Sequence, residues 1–489
     1  MPRRIFAVFA VLCACGIVLT LPAASASEVS HARIVRLSYT EGDVQLSADG
    51  GSGWQKAIVN TPLREGMALA TGDGRAEVEF EFGLTAWMAS NTLLEFPQLV
   101  LEDGAKLTQI SVTQGTATFY VKPGRGDSLE VQAGALLIRA PERARFRVDV
   151  FVDGVSVSVL RGALDVDAHG ATQRVNSRNT LAFRRGTSPE ITLAGNPSKD
   201  AWDRWVSDRN NDVEEARDDT SLYLTAPVGY GMADLSYYGG WVDLPGYGYG
   251  WQPFGIGAGW SPFLNGYWGG YGAFGPAWIS YEPWGWLPYH YGGWVYSPLY
   301  GWVWAPGNFS AWSPATVAWV RTAGGTLGWV PRGPRDGATG TPANLDRGVI
   351  TAMPTGVPGR SRKTILPAGP TSGVRVLGDW KNDAELVRWA QQPQTATRTP
   401  AHGAPARVQA AQKMPAGPAP RIATAGSLSG RMVRYAPPAI SGGSANGRGF
   451  GAASGSAEFG GAARSSASAS PAVHSGPASS GSGGSHGKP

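Results

Sequence analysis

From about residue 32 to residue 194 the chain alternates apolar and polar positions. In Ala76-Glu77-Val78-Glu79-Phe80-Glu81-Phe82 every second residue is apolar and the others are Glu. On a strand this puts Ala76, Val78, Phe80 and Phe82 on one face and three carboxylates on the other. Ile110 and Val112, Val148 and Val150, and Val155, Val157 and Val159 repeat the pattern. Gly42-Asp43, Asp49-Gly50, Gly72-Asp73-Gly74, Asp103-Gly104, Pro123-Gly124 and Asp153-Gly154 punctuate it as turns. The pattern predicts an antiparallel or coiling β domain over 32–194 with one packed face. The row Glu77, Glu79, Glu81 is expected to face solvent, because a Ca²⁺ site would need a second, converging set of oxygen ligands.

The period then changes. Trp202, Trp205 and Val206 lie at helical spacing among Asp, Arg and Glu, predicting a linking helix over 198–219 with Ser198 as N-cap, its two Trp packed on the β domain. Beyond it, over 221–335, short apolar runs are broken by Gly and Pro. Between residues 221 and 331 the only charged residues are Asp234, Asp243, Glu282 and Arg321. Trp260, Trp268 and Trp278 recur 26 residues on as Trp286, Trp294 and Trp304, Pro262 recurs as Pro288, and a third copy starts at Trp312. A fixed period of this kind marks a repeated unit, here of short strands and tight turns. The fold class is therefore all-β: a β-roll or β-helix-like domain, one linking α-helix, then a Trp/Gly/Pro repeat domain.

Composition sharpens the picture at the repeat. Fifteen of the 19 Trp fall between Trp202 and Trp329. Two readings stay open. In one the rings replace aliphatic side chains as the core, with Gly letting backbones approach beneath them. In the other Trp260, Trp268, Trp286, Tyr289, Trp294 and Trp304 form an exposed platform on which a sugar or a cation stacks. An enzyme reading rests on Glu282, which precedes Pro283-Trp284-Gly285-Trp286. A glycosidase would need a second carboxylate 5–10 Å away, and Asp234 and Asp243 are the nearest in sequence. No phosphate-binding glycine loop, His-Glu-x-x-His, Gly-x-Ser-x-Gly or Cys-x-x-Cys occurs, and the six His are scattered, so no enzyme activity, cofactor or metal is expected.

Two resemblances follow. Gly42-Asp43-Val44, Trp54, Leu63-Arg64-Glu65-Gly66 and Thr71-Gly72-Asp73-Gly74, followed by Val112-Thr113-Gln114-Gly115-Thr116-Ala117 and Val159-Leu160-Arg161-Gly162-Ala163-Leu164-Asp165-Val166, are together similar to the FecR domain. That periplasmic β domain is known from sensors that control iron-uptake sigma factors. In those regulators a cytoplasmic segment and a membrane span come first, whereas here a cleavable signal does. The resemblance thus implies the fold and an extracytoplasmic binding role, not sigma-factor control. Trp286-Leu287-Pro288-Tyr289-His290-Tyr291-Gly292-Gly293-Trp294, Gly301-Trp302-Val303-Trp304-Ala305-Pro306 and Gly328-Trp329-Val330-Pro331-Arg332-Gly333-Pro334 resemble an uncharacterised Trp/Tyr/Pro-rich family that follows FecR domains in secreted bacterial proteins.

The ends set the compartment. Arg3-Arg4, the apolar run Ile5 to Leu21 and Ala24-Ser25-Ala26 read as a signal peptide over 1–26, cleaved after Ala26. Both cysteines, Cys13 and Cys15, leave with it. The lipobox-like Leu12-Cys13-Ala14-Cys15 is the alternative, with anchoring at Cys15, and Arg3-Arg4-Ile5-Phe6 also resembles a twin-arginine signal. No later run is long enough to span a membrane. After a partly ordered extension over 336–391, residues 392–489 are rich in Ala, Gly, Ser and Pro and read as a disordered basic tail. From Pro331 onward there are 18 Lys/Arg against 6 Asp/Glu, so the +5 net charge belongs to the tail and does not indicate nucleic acid. The expected partner is a cell-wall glycan or other envelope polymer, and the expected location periplasmic or extracellular.

Overall fold

The computed structural model describes residues 33–391, apart from 52, 82, 187–189, 225–229, 258, 308–311, 338–339, 348–349, 353–363 and 367–372. The signal peptide with Ala26 and Cys15, Phe82, and the tail over 392–489 lie outside the described residues. Alternation decides the first domain. Its strands join one 15-stranded sheet in which every pairing is antiparallel except one, between Ala105–Val121 and Ser128–Ala133. The 17-residue strand Ala105–Val121 is the hub. Its first half pairs with Leu93–Glu102 and Ser128–Ala133, its second half with Leu84–Met88 and Ala144–Val150. The handover falls at Gly115, whose φ of +83° and contact with the Asn91 carbonyl leave no room for a Cβ.

Register fixes what each face carries. One rung runs Leu37, Val78, Ala86, Phe119, Phe146, Val159, and the next Ala76, Met88, Ala117, Val148, Val157, Leu181. All twelve are buried. On the opposite face the alternating rungs are Arg36, Glu79, Thr85, Tyr120, Arg145, Arg161 and Tyr39, Glu77, Trp87, Thr118, Arg147, Ser158.

That second face is not open to water. Helix α1 (Ala201–Ser221) lies across it. The N-cap is Asp200 rather than Ser198. Asp200 Oδ1 accepts from the Asp203 amide at 2.9 Å and Asp203 Oδ2 from the Asp200 amide at 3.1 Å, a reciprocal cap. Trp202 stacks on Trp205 with centroids 5.1 Å apart, and its indole N–H donates to Thr118 Oγ1 at 3.0 Å. The helix thus seats its Trp on the β domain as its spacing predicts.

The repeat resolves into hairpins. Strands Gly239–Leu244 and Gly248–Pro253, Gly266–Gly270 and Pro276–Ser280, Gly293–Ser297 and Gly301–Ala305, and Val317–Arg321 and Leu327–Pro331 each place one Trp opposite another. The pairs are Trp241–Trp251, Trp268–Trp278, Trp294–Trp304 and Trp319–Trp329. Helix α2 (Met232–Tyr238) leads into the first hairpin, and α3 (Trp286–His290) joins the second to the third. The ordered fold runs past residue 335: strands Ile350–Ala352, Thr364–Leu366 and Arg375–Gly378 complete a five-stranded sheet with the fourth hairpin, and Leu386 of α4 (Ala384–Gln391) is buried in the aromatic core.

Gly266 shows why the repeat needs glycine. A Cβ there would lie 2.5 Å from the Ile279 carbonyl and 2.6 Å from the Trp278 ring, and its equivalent Gly239 sits as tightly against Trp251. Gly266→Ala should cost about 1–3 kcal/mol through overpacking, measured as a lower urea midpoint with an unchanged slope.

Candidate functional site

Five of the six rings proposed as a ligand platform, Trp268, Trp286, Tyr289, Trp294 and Trp304, are at most 2% exposed. They are core. Trp268 meets Trp319 at 4.6 Å and Trp329 at 5.1 Å, and Trp294 meets Trp260, the sixth and only half-buried ring, at 5.5 Å. The reason is volume: with few aliphatic residues, the hairpins fill their interior with indoles. Several ring N–H groups are satisfied by carbonyls, Trp251 by Leu235 at 2.8 Å, Trp294 by Pro288 at 2.9 Å and Trp304 by Tyr291 at 2.8 Å. A sugar cannot stack on these rings without opening the domain.

Glu282 is buried in the same core. Trp260 Nε1 donates to its Oε1 at 2.7 Å, the Tyr289 hydroxyl donates to Oε2, and its own amide donates to Ser280 Oγ at 2.9 Å. Burial and the Glu282 carboxylate together push the Tyr289 phenol well above its ordinary pKa. The two carboxylates considered as partners are placed differently. Asp234 is bound to Arg36, and Asp243 is exposed on the strand Gly239–Leu244. The oxygens of Glu282 anchor aromatic side chains, a structural duty.

The glutamate row overturns the expectation of a solvated face. Glu77 and Glu79 are buried under α1, and Glu81 is three-quarters buried. Glu77 accepts from Arg209 Nε at 2.9 Å, Trp87 Nε1 at 2.8 Å and Ser38 Oγ at 2.6 Å. Burial would raise its pKa, but Arg209 and these donors hold it below the usual carboxylate range. Glu79 lies 3.1 Å from Arg36 and 3.5 Å from Arg217, and Glu81 pairs with Arg33. The alternation was right. What it could not show is that the arginines of a helix 130 residues later lie over the row.

Arg36 joins the two domains. Besides Glu79 it binds Asp234 of α2, donates Nε–H to Asn60 Oδ1 at 3.1 Å, and reaches the Pro283 carbonyl at 3.5 Å. Asn60 in turn donates to the Glu282 carbonyl at 2.8 Å. Burial and Glu79 push Asp234 up, to about 6, although Arg36 draws it down. Above this knot His290, buried, stacks on Trp312 with centroids 5.0 Å apart and contacts Ser313 O through Nδ1 at 2.8 Å. Loss of solvent lowers its pKa to about 4.

Among the aromatics that the repeat domain leaves at its surface is a smaller corner outside the 26-residue period. Tyr223 and Trp241 stack with centroids 5.0 Å apart at 9°, and Tyr249, 54% exposed, stands at 80° to Tyr223. Trp241 and Trp251 are separated by ten residues, as are the Trp of the other hairpins. That spacing is the signal that would have added this first hairpin to the repeat.

Among known families, the FecR protein family matches residues 67–165, and a family of unknown function, DUF6600, matches residues 232–336. Neither family is described by a catalytic activity. No curated protein matches the chain. Two crystal structures described as anti-sigma factors from Parabacteroides distasonis ATCC 8503 are similar to part of it. One is 19% identical over 28% of this chain and 62% of its own, with a TM-score of 0.24. The other is 16% identical over 30% and 71%, with a TM-score of 0.25. The chain thus spans less than two thirds of the first. No helix among the described residues is long and apolar enough to cross a membrane. In sequence order, the chain carries a FecR domain followed by a domain of the DUF6600 family.

Proposed function

We propose that this is a non-catalytic exported protein of the bacterial envelope with a binding or scaffolding role. It engages cell-wall or surface polysaccharide through aromatics at the rim of the repeat domain, not through those of its core. The observation that carries this reading is the corner of Tyr223, Trp241 and Tyr249, two flat stacked rings with a third standing at right angles to one of them at the surface. Such rings offer apolar faces with polar tips, which suits a ligand apolar on one face and hydroxylated at its edge. A purely structural role is the second reading, favoured by the burial of the main Trp rows.

Retention on insoluble peptidoglycan and on polysaccharide resins separates the two. Binding to at least one polymer is expected for the full chain, reduced at least tenfold in Trp241→Ala/Tyr249→Ala. Retention on no polymer leaves the structural role.

A further inference from the structure

The polar face beneath α1 is neutralised over one part and not over another. Arg36, Arg147, Arg209 and Arg217 all have carboxylate partners. The rung then continues through Tyr120 and Arg145 to Arg161, and at its end Lys122 and Arg143 come alongside. Among the described residues, none of these four cations forms an ion pair. The Arg145 guanidinium carbon sits over the Tyr120 ring, 3.6 Å from its centroid, which restrains the position of its fork.

These side chains line a cavity of about 210 Å³ between sheet and helix, and Tyr120, Arg145 and Arg161 are shared with a second cavity of about 360 Å³. Two donors facing this space lack partners: the side-chain amide nitrogen of Asn210, a residue only 7% exposed, and Nε of Arg217. Unsatisfied buried donors are costly and call for an acceptor. Of the acidic side chains in the lining, Glu77 is paired with Arg209, Glu79 with Arg36 and Arg217, and Asp203 of the second cavity with Arg147, which leaves Glu214 set against the four cations. Burial holds Arg145 below its ordinary pKa, and Arg161 and Arg143 add to the effect while Glu214 opposes it.

We propose that the cleft between α1 and the FecR sheet is a binding site for an oxyanion, a phosphate ester or a carboxylate on a small polar body such as a sugar. Arg145 and Arg161 supply the forks that match its planar pairs of oxygens. Lys122 and Arg143 neutralise its charge from the rim, and Asn210 donates from the floor. This site is separate from the aromatic corner and stands or falls independently of it.

Calorimetric titration of the full chain with glucose 6-phosphate and, in parallel, with glucuronate tests the proposal and tells the two sources of anion apart. Binding of one or both at millimolar affinity or better is expected, weakening as salt rises. Arg145→Gln/Arg161→Gln should weaken it at least tenfold. Lys122→Gln/Arg143→Gln, on exposed side chains that leave the fold undisturbed, should weaken it severalfold, whereas Trp241→Ala/Tyr249→Ala should leave it unchanged. Absence of binding for both ligands, or affinity unchanged in both charge-removing double variants, would overturn the proposal.

Discussion

Replacing Arg36 by alanine should cost about 3–5 kcal/mol of stability, because two carboxylates lose the cation they were buried against. Arg36 is 1% exposed and serves Glu79, Asp234, Asn60 and the Pro283 carbonyl at once, so four positions distant in sequence depend on one guanidinium. Arg36→Lys keeps the charge but cannot serve four acceptors from one planar fork, and should recover only part of the loss. Removing the charges together, as in Arg36→Met/Glu79→Leu/Asp234→Leu, should be less damaging than Arg36→Ala alone, since no unpaired buried charge remains at the knot. Urea unfolding read by Trp fluorescence measures all three. A loss below about 1 kcal/mol for Arg36→Ala, the value of an exposed pair, would remove Arg36 from its place at the centre of the domain junction.

Acidification should separate His290→Gln from the parent protein by up to about 3 kcal/mol between neutral pH and about pH 4. The sign follows from proton binding. Buried His290 titrates near 4 in the fold against 6.5 when free, so in that window the unfolded chain holds the extra proton. Stability from this residue is therefore complete above pH 6.5 and falls as pH drops towards 4. Asp234 acts in the opposite sense. Its pKa is about 6 against 3.8, so the folded chain holds the extra proton between these values and gains stability as pH falls through 6. The parent protein thus shows a flattened pH profile in which the two offset each other. His290→Gln should be relatively more stable in acid than at neutral pH, and Asp234→Asn should show the reverse. A constant gap between His290→Gln and the parent across this range would mean that the imidazole is not desolvated as its place against Trp312 and Trp286 requires.

Strands were legible in the sequence because alternation is a local property. The rung Leu37, Val78, Ala86, Phe119, Phe146, Val159 is a direct reading of period two. The fate of the other face was not legible, since a carboxylate row looks the same whether water or a helix covers it. The missing cue lay in α1. Arg209 and Arg217 are eight residues apart and so share a face, flanking the buried Val206, Val213 and Ala216. Arginines beside the apolar stripe of a helix are placed to meet an acidic surface where one lies beneath. The repeat was legible as a period but not as an exposure. Trp294 and Trp304 face each other across a hairpin whichever side the hairpin turns to solvent. Their burial follows from the scarcity of aliphatic side chains able to fill the interior, a property of the whole segment rather than of any one position.

The glutamate row and the tryptophan rows are therefore largely interior, which leaves the rim aromatics and the arginine-lined cleft as the proposed sites of recognition. Hydroxyl-radical footprinting of the native chain, read residue by residue by mass spectrometry, tests this most directly. Trp251, Trp286, Trp294 and Trp304 should stay protected until the chain is denatured, while Tyr249 and Phe254, 54% and 65% exposed, are modified at once. Modification of Trp286 or Trp294 in the native chain as fast as that of Tyr249 would contradict the account.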